Sequence, residues 1–274
     1  MKKIFIIITF VQFHFTYSQI IVEDYPLSKI IEETSGLEII GDYFITHNDS
    51  KGYPILYYLS KDGEIIKERK VESAVNKDWE DITKDDKYIY ISDTGNNYSN
   101  RKDLKIYKIP INEDSAEKTQ IISFDYPEQE SFKINTSTIF DAEGLISIDD
   151  KLLIFTKNRQ EKITEIYSIP KIQGDYRAKK IKTLNVNSII TGADYNSDLK
   201  LLALTSTIDF TEYYVITIND FNLYSNKGYQ ISMVKIPIGK TQVEAIKIID
   251  ENNFWITSED ESGKKNARLL RLKV

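Results

Sequence analysis

The chain has 274 residues, 36 of them basic and 42 acidic, with two histidines and no cysteine. A net charge of -6 argues against a nucleic-acid partner, whose phosphates demand a basic surface. The lack of thiols excludes disulfides, cysteine nucleophiles and cysteine-rich metal sites.

Residues 1–18 read as a cleaved export signal. Lys2 and Lys3 precede an apolar run from Ile4 to Phe15, too short to span a bilayer comfortably, and Thr16-Tyr17-Ser18 offers small and polar residues before Gln19. A buried N-terminal strand or a membrane anchor is the competing reading, and a lipoprotein anchor is excluded because no cysteine stands there. Cleavage would deliver the product to the periplasm or the exterior, take the net charge to -8 and leave residues 19–274 as one domain. His14 leaves with the signal, so His47 is the only histidine of the mature chain. With no second apolar run of spanning length, a membrane-spanning product is not expected.

Beyond the signal, one short phrase returns five times. It reads Thr34-Ser35-Gly36-Leu37, Trp79-Glu80-Asp81-Ile82, Ala142-Glu143-Gly144-Leu145, Thr191-Gly192-Ala193-Asp194 and Val243-Glu244-Ala245-Ile246. Taking Ser35, Glu80, Glu143, Gly192 and Glu244 as equivalent gives steps of 45, 63, 49 and 52 residues, near the period of one four-stranded propeller blade. The expected fold is therefore all-β, a β-propeller of five blades. Six remain open if the long second step hides a degenerate blade, and a sandwich or barrel would explain the alternation but not the repeated phrase.

In chain order, blade 1 offers Leu37 to Ile40, Tyr43 to Thr46, Pro54 to Leu59 and Glu64 to Lys67, with Asp62-Gly63 as a hairpin signal whose two central residues need positive φ. Blade 2 offers Ile82, Tyr88 to Ile91, Lys105 to Pro110 and an outer strand near Thr119 to Phe124. Blade 3 offers Leu145-Ile146, Lys151 to Phe155, Glu165 to Pro170 and Lys180 to Leu184. Ile106-Tyr107-Lys108-Ile109-Pro110 and Ile166-Tyr167-Ser168-Ile169-Pro170 are the cleanest internal copy, each ended by a proline with no N–H for the ladder. Blade 4 carries Leu201 to Leu204 and Tyr213 to Ile218. Blade 5 carries Phe254 to Thr257 and Ala267 to Leu272, and then lacks an outer strand. Gln19 to Tyr25 is expected to supply it and close the ring, hiding the edges an open sheet would expose.

In a propeller the first strand of each blade lines the central channel, so Glu80, Glu143 and Glu244 should converge at one mouth while Ser35 and Gly192 leave gaps. Three carboxylates there repel one another unless something positive joins them, and a hard oxygen-seeking cation such as calcium (Ca2+) is the natural neutraliser. The other reading has these glutamates accept backbone N–H groups of neighbouring blades and pin the ring. A second polar set follows the second strands: His47-Asn48-Asp49-Ser50, Ser92-Asp93-Thr94-Gly95-Asn96-Asn97, Lys157-Asn158-Arg159 and Ser258-Glu259-Asp260. Within it, His47 is a general base or a satisfied histidine at a strand end, and Lys157 and Arg159 are candidates to hold an anionic group. Trp79 either stacks on a sugar face or fills the core.

The phrases His47-Asn48-Asp49-Ser50, Asp78-Trp79-Glu80-Asp81-Ile82, Ser92 to Asn97 and Asp141-Ala142-Glu143-Gly144-Leu145 resemble a group of bacterial secreted propeller proteins, across most of the mature chain. More distantly, the Glu-Gly-Leu and Glu-Ala-Ile strand starts resemble the gluconolactonase and regucalcin class, where a divalent ion in the channel mouth is held by Glu, Asn and Asp. That resemblance implies Glu80, Glu143, Glu244, Asn158 or Asp93 as ligands. Those proteins have six blades against the five counted here, so their activity does not carry over.

The functional expectation is a secreted propeller that binds a small molecule, glycan or protein at its channel mouth, through a divalent cation and without catalysis. Trp79, Glu80, Glu143, Asn158, Arg159, Glu244 and His47 are the binding candidates, and Glu80, Asp93, Glu143 and Glu244 the metal candidates. The alternative is a metal-dependent hydrolase of a lactone or ester, in which a carboxylate takes the proton of the attacking water. A purely structural surface protein is the third reading.

Overall fold

The computed structural model describes residues 20–50, 52–225, 228–239, 241–259 and 267–274. The expected signal at 1–18 and Asp260 lie outside the described residues.

The period-two pattern builds five antiparallel four-stranded sheets around one axis. Strand β1 (Ile20–Pro26) comes first but belongs to the last blade. Blade 1 is β2 (Thr34–Ile40), β3 (Tyr43–Asn48), β4 (Ile55–Leu59) and β5 (Ile65–Lys70); blade 2 is β6 (Trp79–Lys84), β7 (Tyr88–Asp93), β8 (Lys105–Pro110) and β9 (Gln120–Asp125). Blade 3 is β10 (Ala142–Ile148), β11 (Lys151–Thr156), β12 (Ile163–Pro170) and β14 (Lys179–Asn185), with β13 (Gly174–Arg177) leaving it to lie parallel along β9 of blade 2. Blade 4 is β15 (Ile189–Asn196), β16 (Leu201–Thr207), β17 (Tyr213–Ile218) and β18 (Ile231–Lys235). In blade 5, β19 (Val243–Ile248), β20 (Asn253–Ser258) and β21 (Arg268–Lys273) are completed by β1, antiparallel to β21 with Tyr25 opposite Leu269. The five-blade count and the N-terminal closure are both present, and residues 111–139 hold β9 and loop, with no sixth blade. Among the described residues no helix is long and apolar enough to cross a membrane.

Two local features depart from the sequence reading. The hairpin at Asp62-Gly63 forms, but only Gly63 takes a positive φ (83°); the turn spans Ser60 to Glu64, closed by Ser60 N donating to Glu64 O at 2.8 Å. Neither β13 nor β18 is among the strands expected from the sequence: β13 carries little apolar signal, and β18, with Ile231, Met233 and Val234, is a short outer strand that buries only part of its surface.

The core consists of five wedges, one per blade interface. Alternate residues of each middle strand face opposite neighbours: Leu152 and Ile154 pack toward blade 2, Leu153 and Phe155 toward blade 4. Both faces of every sheet are therefore buried, and strands such as β11 read as continuous apolar runs instead of alternating ones.

Polar groups on the inner strands tie the blades at the axis. Ser35 Oγ donates to Glu80 O, Thr191 Oγ1 to Val243 O, and Thr94 Oγ1 to Ala142 O at 3.1 Å. The Asp81 carboxylate reaches across from blade 2 and accepts Leu145 N at 2.8 Å and Ala193 N at 3.3 Å. Replacing Asp81 by Ala strands these two buried donors, each worth about 1–3 kcal/mol when unsatisfied. Urea unfolding of Asp81→Ala should show a loss of about 3 kcal/mol, and Asp81→Asn, which keeps an acceptor oxygen, a smaller one.

Candidate functional site

Every inner strand starts with a β-bulge, and the repeated phrase is its sequence signature. The ladder skips one residue between Trp79 and Asp81, Ala142 and Gly144, Ile190 and Gly192, and Val243 and Ala245, and is also irregular between Ser35 and Glu38. The extra residues are Glu80, Glu143, Thr191 and Glu244. This corrects the alignment in blade 4: Thr191, not Gly192, occupies the glutamate position. A bulge frees its extra residue from the ladder and re-aims its side chain.

The equivalent residues divide into two groups. Ser35 and Thr191 donate to a carbonyl of the next blade. Among the described residues, no backbone N–H donates to the carboxylates of Glu80, Glu143 or Glu244, so pinning of the ring falls to Ser35, Thr191, Thr94 and Asp81. Glu143 pairs with Lys157 Nζ at 2.8 Å. Glu80 is 5% exposed and Glu244 6% exposed, and neither carboxylate has a hydrogen-bond or ion-pair partner among the described residues.

Three aspartates that the sequence reading did not single out complete the mouth. Carboxylate oxygens of Asp49, Asp78 and Glu80 lie within 4.8 Å of one another, and so do those of Glu80, Asp141 and Glu143. The two sets differ in charge. Asp141 binds Arg159 Nη1 at 2.8 Å and Asn96 N at 2.7 Å, and Glu143 binds Lys157, so the second set is largely neutralised. Among the described residues, the first set has no basic side chain bound to it. Asp78 and Asp141 each stand two residues before the bulged glutamate, an Asp-x-Glu spacing visible in the sequence; blade 5 has Gln242 there.

Burial and mutual repulsion raise these acids. Glu143 is pushed up to about 7 by burial, against the pull of Lys157. Asp49 is pushed up to about 9 by burial and by the charges of Asp78, Glu143 and Glu259, with a side-chain hydrogen bond to Asp78 adding to the rise. Burial holds Glu80 and Glu244 well above the usual carboxylate range, with Glu143 adding to both. Burial works against the Lys157 charge, but Glu143, Glu244 and Asp141 hold it above its ordinary value.

Gly95 shows how tightly the mouth is built. A Cβ there would meet Glu80 Oε1 at 2.1 Å and Asp78 Oδ2 at 2.3 Å, so only glycine lets the loop pass over these carboxylates.

The other candidates lie elsewhere. Asp93 is bound by Arg101 Nη2 at 2.8 Å and accepts Asp78 N, and Thr94 and Asn96 of its loop make inter-blade bonds, so its carboxylate is already engaged by a cationic side chain. Asn158 Oδ1 accepts Gln160 N and Glu161 N, an Asx turn that shapes its own loop. Arg159 reaches the rim, held by Asp141 and Asn97. Trp79 is fully buried, with Nε1 donating to Val75 O at 3.1 Å, and offers no face to a ligand. His47 packs edge-on against Trp79 at 5.4 Å, and burial lowers it to about 4, so it is neutral at pH 7 and remote from any acid–base role at the surface.

The fold and site together define a five-bladed β-propeller with an acidic channel mouth. No family model matches the chain, and no curated protein matches it in sequence. Among solved structures it is similar to the PQQ-bound aldose sugar dehydrogenase from Streptomyces coelicolor, with TM-score 0.51 and 9% identity over 93% of this chain and 98% of that one. Weaker likenesses are to a chain of the mitotic checkpoint complex (0.46, 11%, 88% and 76%) and the extracellular domain of a putative hybrid two-component system from B. thetaiotaomicron (0.39, 14%, 86% and 27%). At these identities the first likeness speaks to the propeller fold alone, and the other two carry no argument.

The raised acids set a pH dependence for chelator-stripped protein. Glu143 rises from 4.5 to about 7 and Asp49 from 3.8 to about 9, so the folded state binds more protons than the unfolded one. The stabilisation is complete below the unfolded values and is lost as pH climbs through the folded ones. Thermal melts should show stability falling from pH 5 to pH 9.

Proposed function

We propose that this protein is an exported propeller that binds a divalent cation, calcium foremost, between Asp49, Asp78 and Glu80, and uses it to hold a ligand at the channel mouth without chemical turnover. The carrying observation is three carboxylate oxygens within 4.8 Å of one another with, among the described residues, no basic side chain bound to them. Calcium binds oxygen at about 2.3–2.6 Å, so ligands on opposite sides of one ion stand about 5 Å apart and those on the same side closer. The donor set fits: all oxygen, all carboxylate, half-buried at the rim with Glu80 below. The ion would take over the role that protonation plays in a set whose acids burial and mutual repulsion raise. This differs from the ligand set read from the sequence, since Glu143 is engaged by Lys157 and Asp93 by Arg101. Export rests on residues 1–18 and on the resemblance to secreted propellers; the bound partner is a small molecule, glycan or protein.

A second reading, a metal-dependent hydrolase of a lactone or ester, draws on Glu143. A carboxylate brought to about 7 beside a cation site is poised to take a proton near neutrality.

Calorimetry of chelator-stripped protein with calcium chloride should give one ion per chain. Asp78→Asn should weaken binding by about tenfold or more, whereas Glu143→Gln should change it far less. Absence of binding, or an unaffected Asp78→Asn, would overturn the cation site. Hydrolysis of gluconolactone or p-nitrophenyl acetate that is calcium-dependent and lost in Glu143→Gln would favour the second reading over the first.

A further inference from the structure

The ring has a second mouth, where the inner strands end. There a cavity of about 850 Å³ opens among blades 2, 3 and 4, within the size range of small-ligand sites. It is separate from the acidic mouth, because Asp81 and a second ion cluster lie across the axis between them. In that cluster Lys247 Nζ of blade 5 bridges Glu38 of blade 1 at 2.8 Å and Asp194 of blade 4 at 2.9 Å, forming the cavity floor.

We propose that this second cavity binds a neutral polyhydroxylated ligand, a mono- or disaccharide in size and chemistry.

The lining selects the class by elimination. Only Ile148, Phe221 and Leu223 are aliphatic or plain aromatic, so an apolar ligand would strip water from many polar groups and give nothing back. Among the described residues, seven carboxylates face four ammonium groups, so an anion such as a nucleotide meets a net negative wall. A compact cation meets Lys84 and Lys200, neither of which has a carboxylate partner among the described residues. Interleaved acceptors and donors suit a ligand that is both at every position, as vicinal hydroxyls are. Lys247 spends two of its three N–H groups on Glu38 and Asp194, which leaves one for the cavity.

Two tyrosines give the apolar face that a sugar ring stacks on. Tyr195 stands half-buried against Phe221 at 5.8 Å. Tyr224 is 71% exposed at the rim, yet Lys151 holds it by a 3.2 Å bond to its hydroxyl and by lying over its ring. The rim itself is built of tight turns, with Asp149, Lys200 and Asp220 all in the left-handed region at φ 48°, 51° and 53°. Such turns fix the opening before a ligand arrives.

The test is an amide-resolved NMR titration of the full chain with maltose, cellobiose, lactose and sucrose. At least one sugar should saturably shift the amides of Tyr195, Asn196 and Asp220 and leave those of Glu80 and Glu143 unmoved. Tyr224→Ala, at an exposed position, should weaken that binding about tenfold, the worth of one aromatic anchor. Ser197→Trp, which fills the cavity from an exposed turn, should abolish it; whether either variant folds is read from the same spectrum. No shift with any of the four sugars, shifts centred on the acidic mouth, or unchanged affinity in folded Tyr224→Ala would overturn the proposal.

Discussion

Five strands meeting around one axis leave room for backbone and few side chains, and the bulge that opens each strand decides which side chains those are. By inserting a residue outside the ladder, it gives blades 2 to 5 one side chain free of the sheet's alternation, while in blade 1 Ser35 stays paired with His47 and the irregularity follows it. At these strand starts the hydroxyls of Ser35 and Thr191 are short enough to bond the neighbouring backbone and tie two blades together. A glutamate is too long for that contact, and the carboxylate swings to the mouth. Asp81, one residue further in, completes the tie by reaching two other blades. Scaffold and site thus come from one repeated backbone feature with different side chains on it.

Magnitudes explain why the acidic mouth cannot be neutral background. Two ionised carboxylates 4.8 Å apart repel by about 3 kcal/mol at an effective dielectric of about 20. Three such pairs in the Asp49, Asp78, Glu80 set would cost about 10 kcal/mol, comparable to the whole stability of a domain. Protonation of Asp49 relieves part of this, and a dication relieves more. The neighbouring set resolves the same conflict within the chain, with Lys157 and Arg159 as built-in counter-ions to Glu143 and Asp141. Buried pairs of that kind contribute little net stability, because desolvation offsets the attraction, but breaking one leaves a stranded charge. Lys157 is therefore a fixture that keeps Glu143 in place.

The architecture was legible because it repeats. The phrase at the strand starts, the Pro110 and Pro170 strand ends and the unpaired N-terminal strand each point to a closed ring of five blades, and all three are found. What failed was anything that depended on a single residue of register. The repeated phrase marks the bulge without telling which of its residues is the extra one, so Gly192 falls in line with glutamates whose place belongs to Thr191. The site was half legible for a related reason. Glu80, Glu143 and Glu244 lie on the repeat and were found, whereas Asp49 arrives from another strand and looks like an ordinary turn residue. Asp78 and Asp141 had a signal in their Asp-x-Glu spacing. Asp93 was misleading, because nothing in the sequence tells that Arg101, eight positions on, folds back to take its charge. Trp79 and His47 pack on each other inside the wedge between blades 1 and 2, a contact across 32 positions that composition does not reveal.

The central claim is that the unneutralised set at the bulge, not the ion-paired one beside it, is where a cation settles. An anomalous difference map from crystals grown with manganese tests this directly. The account predicts one strong peak bounded by Asp49, Asp78 and Glu80, with the Lys157 bond to Glu143 intact. A peak between Glu143 and Glu244 with Lys157 displaced, or no peak at the mouth, would contradict it.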